Sequence, residues 1–391
     1  MINKIKYLAE KYFDEIVEIR RHLHKYPELS FNEFQTSKYI KSILKKWQIK
    51  YIDNVAGNGI VVLLERGKKN DRTVALRADF DALPIHEQNN VSYCSKNKGV
   101  MHACGHDAHT ASLLGVIKIL NSNEIKWTGK IKCIFQPAEE MLPGGAKQMI
   151  KEGVLKNPNV NYILAHHVYP DLVTGKIGFC EGKYMASTDE LYIKVNGIGG
   201  HAALPDKYNN PILAASDLIT KLSNHFSKSE HPKSVFAIGY ISADGSTNVI
   251  PNCVNIKGTF RALDEKWRIE AHKIMLNISE KITKKHNVKI QFDIVKGYPH
   301  LINSINLTRN SRKYAEEFLG KQNVIDLDIR MTAEDFAYFS HEVPGCFYRI
   351  GTRNELLGIT NGLHTSQFDI DEKSLKTSMG VMTYLAIKNL S

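Results

Sequence analysis

Three short, largely apolar segments, each followed within a few residues by acidic or histidine side chains, constrain the fold of this chain most strongly. They span residues 73–78, 130–135 and 162–165. Apolar runs of this length are typical of strands that are buried on both faces, and helical patterns alternate with them along the chain. The sequence therefore predicts an α/β fold with an open sheet, in which polar residues gather beyond the carboxyl ends of the strands.

A dense group of potential metal ligands lies between the first two of these segments. It comprises His102, Cys104, His106, Asp107 and His109, and an apolar helical pattern follows at once. Cys104 and His106 can reach one metal ion, and a thiolate with an imidazole suits Zn²⁺, with Ni²⁺, Co²⁺ and Mn²⁺ also compatible. Asp107 is expected to cap the helix or to orient a ligand. The alternatives are ordinary packing and surface positions for these side chains, or a Cys–His nucleophilic dyad.

Two adjacent carboxylates, Glu139 and Glu140, follow the second apolar segment and admit two interpretations. They can occupy the first turn of a helix and complement its dipole. Beside a metal ion, one can bind the ion while the other acts as the general base for water. His166, His167 and His364 offer further imidazole groups, and so many segments with such residues favour the metal-site interpretation.

The length and the middle of the chain predict two domains. A chain of 391 residues exceeds one ordinary core, and residues 186–298 show strand and helix patterns in the ferredoxin-like order β-α-β-β-α-β. The α/β pattern resumes afterwards. We therefore expect a large domain formed by residues 1–185 and 299–391, with an α+β domain of residues 186–298 inserted into it.

The composition bears on partners and compartment. The formal net charge is +11, but the lysines are scattered and no nucleic-acid-binding motif accompanies them, which favours a solvated surface and no nucleic-acid partner. Six cysteines without a CxxC pair favour a reducing compartment. Because we find neither a signal-peptide pattern nor an apolar stretch of membrane-spanning length, we expect a cytoplasmic protein with no membrane partner.

Ten sites along nearly the whole chain carry a resemblance to a known family. They are residues 21–29, 75–84, 99–109, 135–140, 167–170, 199–205, 248–251, 258–261, 332–336 and His364. With these motifs the chain resembles the aminoacylase-type metallopeptidases and amidohydrolases of family M20. It is most similar to branch D, which includes hippurate hydrolases, N-acyl-amino-acid amidohydrolases, N-acetyldiaminopimelate deacetylases and auxin-conjugate hydrolases.

The resemblance implies a zinc-exopeptidase-like mixed sheet flanked by helices, and an inserted domain that serves as a lid and for dimerisation. It also implies two divalent metal ions per subunit (Zn, Mn, Ni or Co). The ligands that it implies are Cys104, which bridges the ions, His106, Glu140, His167 and His364. His167 is preferred to His166 because the family pattern is His-Val, any residue, then Pro.

Further residues receive roles from the same resemblance. Glu139 is implied as the general base, with Asp81 and Asp79 orienting the ligands. In the inserted domain, His201, Asn248 and Arg261 match positions that bind the substrate. His201 would also stabilise the oxyanion. From the residues alone, Arg261 is equally compatible with an ion pair on a strand face. His201, taken without the resemblance, is better explained as an ordinary loop histidine beside flexible glycines.

The implied activity is metal-dependent hydrolysis of the amide bond of N-acyl amino acids, with water activated between two metal ions. The expected partners are a small N-acyl amino acid or peptide as substrate and a second copy of the chain, bound through the inserted domain. Two alternatives stay open. One is a dipeptidase or carboxypeptidase of the same family, and the other is a non-catalytic binding protein on the same fold.

Overall fold

The computed structural model describes residues 1–67, 72–228 and 232–390, which divide into two compact units. The large unit comprises Met1–Gly182, Ile302–Asp328 and Asp335–Ser391, and the small unit comprises Lys183–Leu301 and Ile329–Glu334. The sequence prediction placed residues 329–334 in the large domain, whereas in the structure they belong to the small unit. They join the small unit through backbone hydrogen bonds, in which the Arg330 amide donates to the Tyr184 carbonyl (2.8 Å) and the Ala186 amide to the Arg330 carbonyl (3.1 Å).

Three helices open the chain, and strands and helices are interspersed after them. The helices are α1 (Ile2–Lys11), α2 (Phe13–Lys25), α3 (Phe34–Lys46), α4 (His106–Asn121), α5 (Gly145–Lys151), α6 (Pro211–Phe226), α7 (Glu265–His286), α8 (Ile305–Leu319), α9 (Phe336–Glu342) and α10 (Ser374–Lys388). The strands are β1 (Ile52–Val55), β2 (Gly59–Arg66), β3 (Thr73–Asp79), β4 (Gly129–Gln136), β5 (Tyr162–Val173), β6 (Ile177–Phe179), β7 (Gly182–Met185), β8 (Asp189–Asn196), β9 (Gly200–His201), β10 (Ser234–Ala243), β11 (Val249–Ile250), β12 (Cys253–Ala262), β13 (Lys289–Lys296), β14 (Leu301–Asn303), β15 (Val324–Asp326) and β16 (Gly345–Arg353). No helix within the described residues is long and apolar enough to span a bilayer.

A mixed sheet forms the centre of the large unit. Among the described residues, eight strands pair in the order β1-β2-β4-β3-β5-β16-β6-β15. The three apolar segments are β3, β4 and β5, and β3 lies parallel to both of its neighbours. All seven residues of β3 are buried, as expected for a central strand covered on both faces. The predicted α/β fold with a central mixed sheet is confirmed.

Helix α4 begins within the group of potential metal ligands and is buried. It packs against α2 and α10, and nearly all of its residues are buried. A helix that is apolar on every side belongs inside a core, which agrees with the continuous run of small and aliphatic residues after His109.

The small unit has the ferredoxin-like topology. Its sheet pairs in the order β10-β12-β8-β13 with every neighbour antiparallel, and α6 and α7 supply the helices. Both helices begin with side-chain caps. The Asn210 side chain accepts from the Ile212 amide, and the Asp264 side chain accepts from the amides of Lys266 and Trp267. The β-α-β-β-α-β order read from the sequence is therefore present.

Candidate active site

The start of α4 delivers two of the predicted ligands. Cys104 comes just before Gly105, whose φ of +82° turns the chain into the helix, and His106 is the first helical residue. A side chain at position 105 would overlap the Cγ2 of Val168, so this turn requires glycine both for its φ and for the close approach. Both ligand candidates are buried.

Cys104 lies between two histidines that come from distant segments. Its Sγ is 3.3 Å from the Nε2 of His167, on β5, and 3.3 Å from the Nε2 of His364, in the loop after β16. His364 has a φ of +60°, an uncommon conformation for a residue with a side chain, and its amide donates to the Ala103 carbonyl (2.8 Å). This hydrogen bond ties the His364 loop to the segment just before α4.

Glu140 completes the cluster of predicted ligands. Its Oε1 lies 3.4 Å from the Nε2 of His364 and 3.8 Å from the Nε2 of His106. The ligand atoms form overlapping groups within 4.8 Å of one another: Cys104, His106 and His167; Cys104, Glu140 and His364; His106, Glu139 and Glu140. Since the groups share members, the five predicted ligands and Glu139 form one continuous cluster.

The residues of this cluster fit divalent metal ions. The Nε2 of His106 and the Oε1 of Glu140 are buried and have no hydrogen-bond partner among the residues that the structure describes. Leaving a buried polar atom unsatisfied costs about 1–3 kcal/mol, so two such atoms facing the same space call for a ligand. Thiolate, imidazole and carboxylate together are the donor set of Zn²⁺ and its first-row neighbours.

His166 and His167 face opposite sides of β5, as neighbouring strand residues must. The Nε2 of His166 is 2.8 Å from the Oγ of Ser378 on α10, whereas His167 faces Cys104. This geometry agrees with the preference for His167 over His166 as a ligand candidate.

Asp81 contacts two members of the cluster. Its Oδ1 is 3.1 Å from the Nδ1 of His106, and its Oδ2 accepts from the Glu140 amide (2.9 Å) and from the Ser30 hydroxyl (2.7 Å). Burial acts to raise the pKa of Asp81, but the hydrogen bond and charge of His106, with the other two donors, outweigh it and lower the pKa. The ionised carboxylate therefore orients both His106 and Glu140.

Asp107 does not cap α4, and that prediction is wrong. The residue at the cap position is Gly105, without a side-chain cap, and Asp107 lies inside the first turn. Its buried Oδ2 instead lies 2.8 Å from the Nε of Arg20 and 2.8 Å from the Nδ1 of His24, both on α2. The reason is that a buried arginine on α2 needs a buried counter-charge, and Asp107 supplies it. Its contacts anchor the start of α4 to α2.

A buried charged network around Arg77 was not singled out from the sequence. Arg77 donates to the Oδ2 of Asp79 (2.6 Å), to the Oδ1 of Asp335 (2.8 Å) and to the Oε1 of Gln136 (2.8 Å). The Oδ1 of Asp79 lies 2.6 Å from the Nδ1 of His109. Arg77 is a charged residue inside an otherwise apolar strand, and that was the signal from which a buried ion-pair network could have been predicted.

Glu139 is linked to this network by a hydrogen bond from the backbone of Asp335. The Asp335 amide donates to the Oε1 of Glu139 (3.3 Å), and the Asp335 Oδ2 accepts from the Ala146 amide (3.0 Å). Glu139 is buried, and residues 137–144 form a turn instead of a helix. The interpretation of the Glu139–Glu140 pair as the first turn of a helix is therefore wrong.

The predicted substrate-binding residues lie in the small unit. His201, on β9, pairs with Val249 of β11, and its Nδ1 accepts from the Ala203 amide (3.1 Å). The Asn248 carbonyl accepts from the Ala202 amide (3.0 Å), so His201 and Asn248 lie on neighbouring segments. Arg261 lies on β12, where it donates to the Met331 carbonyl (3.3 Å) and where burial lowers its pKa.

The family model described as Peptidase family M20/M25/M40 matches residues 75–388, which is most of the chain. The chain belongs to this family. Amidohydrolase YhaA of Bacillus subtilis (strain 168) is 39% identical over 377 residues, which cover 96% of this chain and 94% of that protein. N-acetyl-L-cysteine deacetylase of the same organism is 37% identical over 363 residues, covering 92% and 85% respectively.

A solved relative extends the comparison to three dimensions. The YXEP protein of Bacillus subtilis, described as a dinuclear metal binding peptidase from the M20 family, superposes with a TM-score of 0.81 at 32% identity, covering 97% of this chain and 99% of that chain. Together the family match and these relatives confirm three predictions made from the sequence, namely the family, the fold class and a hydrolase activity.

Proposed function

We propose that this hydrolase cleaves the amide bond of N-acyl amino acids and releases a carboxylic acid and a free amino acid. The observation that carries the proposal is the largely buried cluster of one thiol, three imidazoles and two carboxylates, in which only His364 is exposed and two buried ligand atoms have no hydrogen bond within the described residues. The substrate class is supported by the relatives, one of which is named an amidohydrolase and the other an N-acetyl-L-cysteine deacetylase.

The cluster contains the residues that we propose as the ligands of two divalent ions. We propose Cys104, His106, Glu140, His167 and His364 as the ligands, and Zn, Mn, Ni or Co as the metal. When bound, the ions polarise the amide carbonyl and lower the pKa of water toward neutrality. Asp81 holds the His106 ring and the Glu140 backbone in place for this task, through the hydrogen bonds described above.

Glu139 is proposed as the group that moves the proton. It accepts a proton from water as the water oxygen forms a bond to the carbonyl carbon, and it returns that proton to the nitrogen as the carbon–nitrogen bond breaks. Its carboxylate is held by the Asp335 amide, which fixes the position of the accepting oxygen beside the cluster. The same proton is used twice, so no further acid is needed.

The small unit is proposed to bind the substrate. Arg261, a half-buried guanidinium, matches the fork geometry of an α-carboxylate, with Asn248 as a neutral partner. His201 is proposed as a donor to the oxyanion, because it is exposed and its Nδ1 already accepts from the Ala203 amide, which leaves the Nε2 as the donor. We also propose a homodimer formed through the small unit. The six free thiols agree with a reducing compartment such as the cytoplasm.

A substrate panel tests the proposal. The purified protein is stripped of metal with a chelator and reloaded separately with Zn²⁺, Mn²⁺, Ni²⁺ and Co²⁺, and amine release is measured from acetyl-, benzoyl-, succinyl- and indole-acetyl-amino acids and from dipeptides. We expect metal-dependent release from at least one N-acyl amino acid. Faster cleavage of the dipeptides would favour a peptidase, and no cleavage of any N-acyl amino acid by the reloaded protein would refute the proposal.

A further inference from the structure

The turn that carries Glu139 and Glu140 has a backbone conformation that needs support. It connects β4 to α5, and Ala138 in it has a φ of +53°. Residues with a side chain adopt this left-handed region rarely. The carbonyl of Ala138 is held from one side by the Gly145 amide (2.8 Å), which leaves the amide of Ala138 to be fixed by another group.

That group is Glu33, a fully buried carboxylate far away in the sequence. Its Oε1 accepts from the Ala138 amide at 2.8 Å, and its Oε2 accepts from the Nδ2 of Asn58 at 3.1 Å. Hydrogen bonds from an amide to a carboxylate are stronger than those between neutral groups. Glu33 is therefore placed to hold Ala138 in its uncommon conformation.

Two carboxylates together hold the backbone on both sides of Glu139. Glu33 accepts from the Ala138 amide, and Asp81 accepts from the Glu140 amide at 2.9 Å. The side chain of Glu139 branches from the backbone between these two fixed amides. A shift of either amide would move the carboxylate of Glu139 relative to the cluster.

Apart from its hydrogen bond with Asn58, the carboxylate of Glu33 does not serve the helix next to it. It precedes α3, but its side chain makes no cap hydrogen bond to that helix. Glu28 performs that task, because its carboxylate accepts from the amides of Gln35 (3.2 Å) and Thr36 (2.8 Å). Burial, with the nearby charge of Asp81, raises the pKa of Glu33 to about 7. The ionised carboxylate is therefore destabilised at this position, and a role in capping α3 does not explain why an acid stands here.

We propose that Glu33 is a positioning residue for Glu139, acting through the amide of Ala138. The inference rests on the proposed function in one respect, namely that Glu139 is the general base. The role of Glu33 in fixing the turn does not depend on the substrate.

Matched substitutions test the proposal. Glu33→Met and Glu28→Met each replace a carboxylate that binds backbone amides with an apolar side chain of similar length, and Glu33→Gln retains an oxygen that accepts from the Ala138 amide. For each variant we measure kcat, KM, bound metal, thermal stability and the hydrogen exchange of a peptide covering residues 138–144.

We expect Glu33→Met to lower kcat about tenfold or more, with KM and metal content unchanged, and to speed exchange in this peptide. Glu33→Gln should stay within about threefold of the wild-type kcat, because the Ala138 hydrogen bond remains. Glu28→Met should lose stability while keeping kcat and the wild-type exchange of residues 138–144.

Several outcomes would overturn the proposal: wild-type kcat and exchange in Glu33→Met, equal losses in the Met and Gln variants, or an equal loss in Glu28→Met. If Glu33→Met does not fold, Glu33→Asp takes its place, since its shorter side chain withdraws the oxygen from Ala138, and the same outcomes decide. If the wild-type protein hydrolyses no substrate, the proposed function has failed, and unchanged exchange at residues 138–144 alone then overturns the role of Glu33.

Discussion

Gly145, the first residue of α5, is the position at which one added methyl group should most disturb the turn of Glu139 and Glu140. A Cβ at this position would overlap the carbonyl oxygen of Pro137 and would lie 2.9 Å from its carbonyl carbon, whereas ordinary contacts begin near 3.4 Å. The carbon alone must retreat by about 0.5 Å, and the oxygen by more. We therefore expect the backbone next to Ala138 to move on the order of 1 Å.

The magnitude of the effect on catalysis follows from this displacement. Misplacing a catalytic group by about 1 Å can cost on the order of a hundredfold in rate, so Gly145→Ala should lower kcat about that much. Overpacking costs about 1–3 kcal/mol of stability, partly offset by about 1 kcal/mol of helix propensity gained by alanine. The variant should therefore remain folded.

The assay compares kcat, metal content and the urea midpoint of Gly145→Ala with those of the wild type and of Gly239→Ala. Gly239→Ala is a suitable control because a Cβ at Gly239 meets no atom within 4 Å in the described part of the chain. Wild-type kcat in Gly145→Ala would refute the reasoning, since it would mean that the turn can shift without moving Glu139. An equal loss in Gly239→Ala would also refute it.

Three further predictions concern the ligands and the buried charges. Cys104→Ala should lose bound metal, as measured by elemental analysis, and full occupancy would refute its role. Arg77→Met should lower the free energy of unfolding by about 3–5 kcal/mol in urea titration, because it leaves two buried carboxylates without their counter-charge; a change below 1 kcal/mol would contradict this. Burial acts to raise the pKa of Asp189, but hydrogen bonds with His272 (2.6 Å) and Arg268 (2.9 Å) outweigh it and lower the pKa. The ionised Asp189 thus stabilises the fold above its unfolded pKa of about 4, and this stabilisation is lost as the pH falls further. Asp189→Asn should therefore lose less stability than the wild type between pH 5 and 3. An unchanged acid profile would contradict the assignment.

The parts of the fold that were predictable from the sequence depend on local patterns. The largely apolar run of β3 identified a buried central strand, and the β-α-β-β-α-β order identified the topology of the small unit. Both patterns arise from residues within one element or in consecutive elements. The general position of the ligand candidates followed for the same reason, since the ends of neighbouring parallel strands meet at one edge.

The supporting residues were not predictable in the same way. Arg77 and Asp335 are 258 positions apart, and Glu33 and Ala138 are 105 apart, so nothing local relates them. Asp107 matched the pattern of a helix cap, but a buried arginine on another helix decided its actual contacts. A single sequence reports what a residue type can do next to its neighbours, and it does not report which distant charge will need a partner.

The central claim is that Glu139 moves the proton at a metal site held by other residues. It is tested most directly by measuring bound metal and kcat of Glu139→Ala on the best N-acyl amino acid substrate. We predict wild-type metal content with kcat reduced by about 10²–10⁴-fold, the usual contribution of a general base. Turnover within tenfold of the wild type, in a variant with full metal occupancy, would contradict the account.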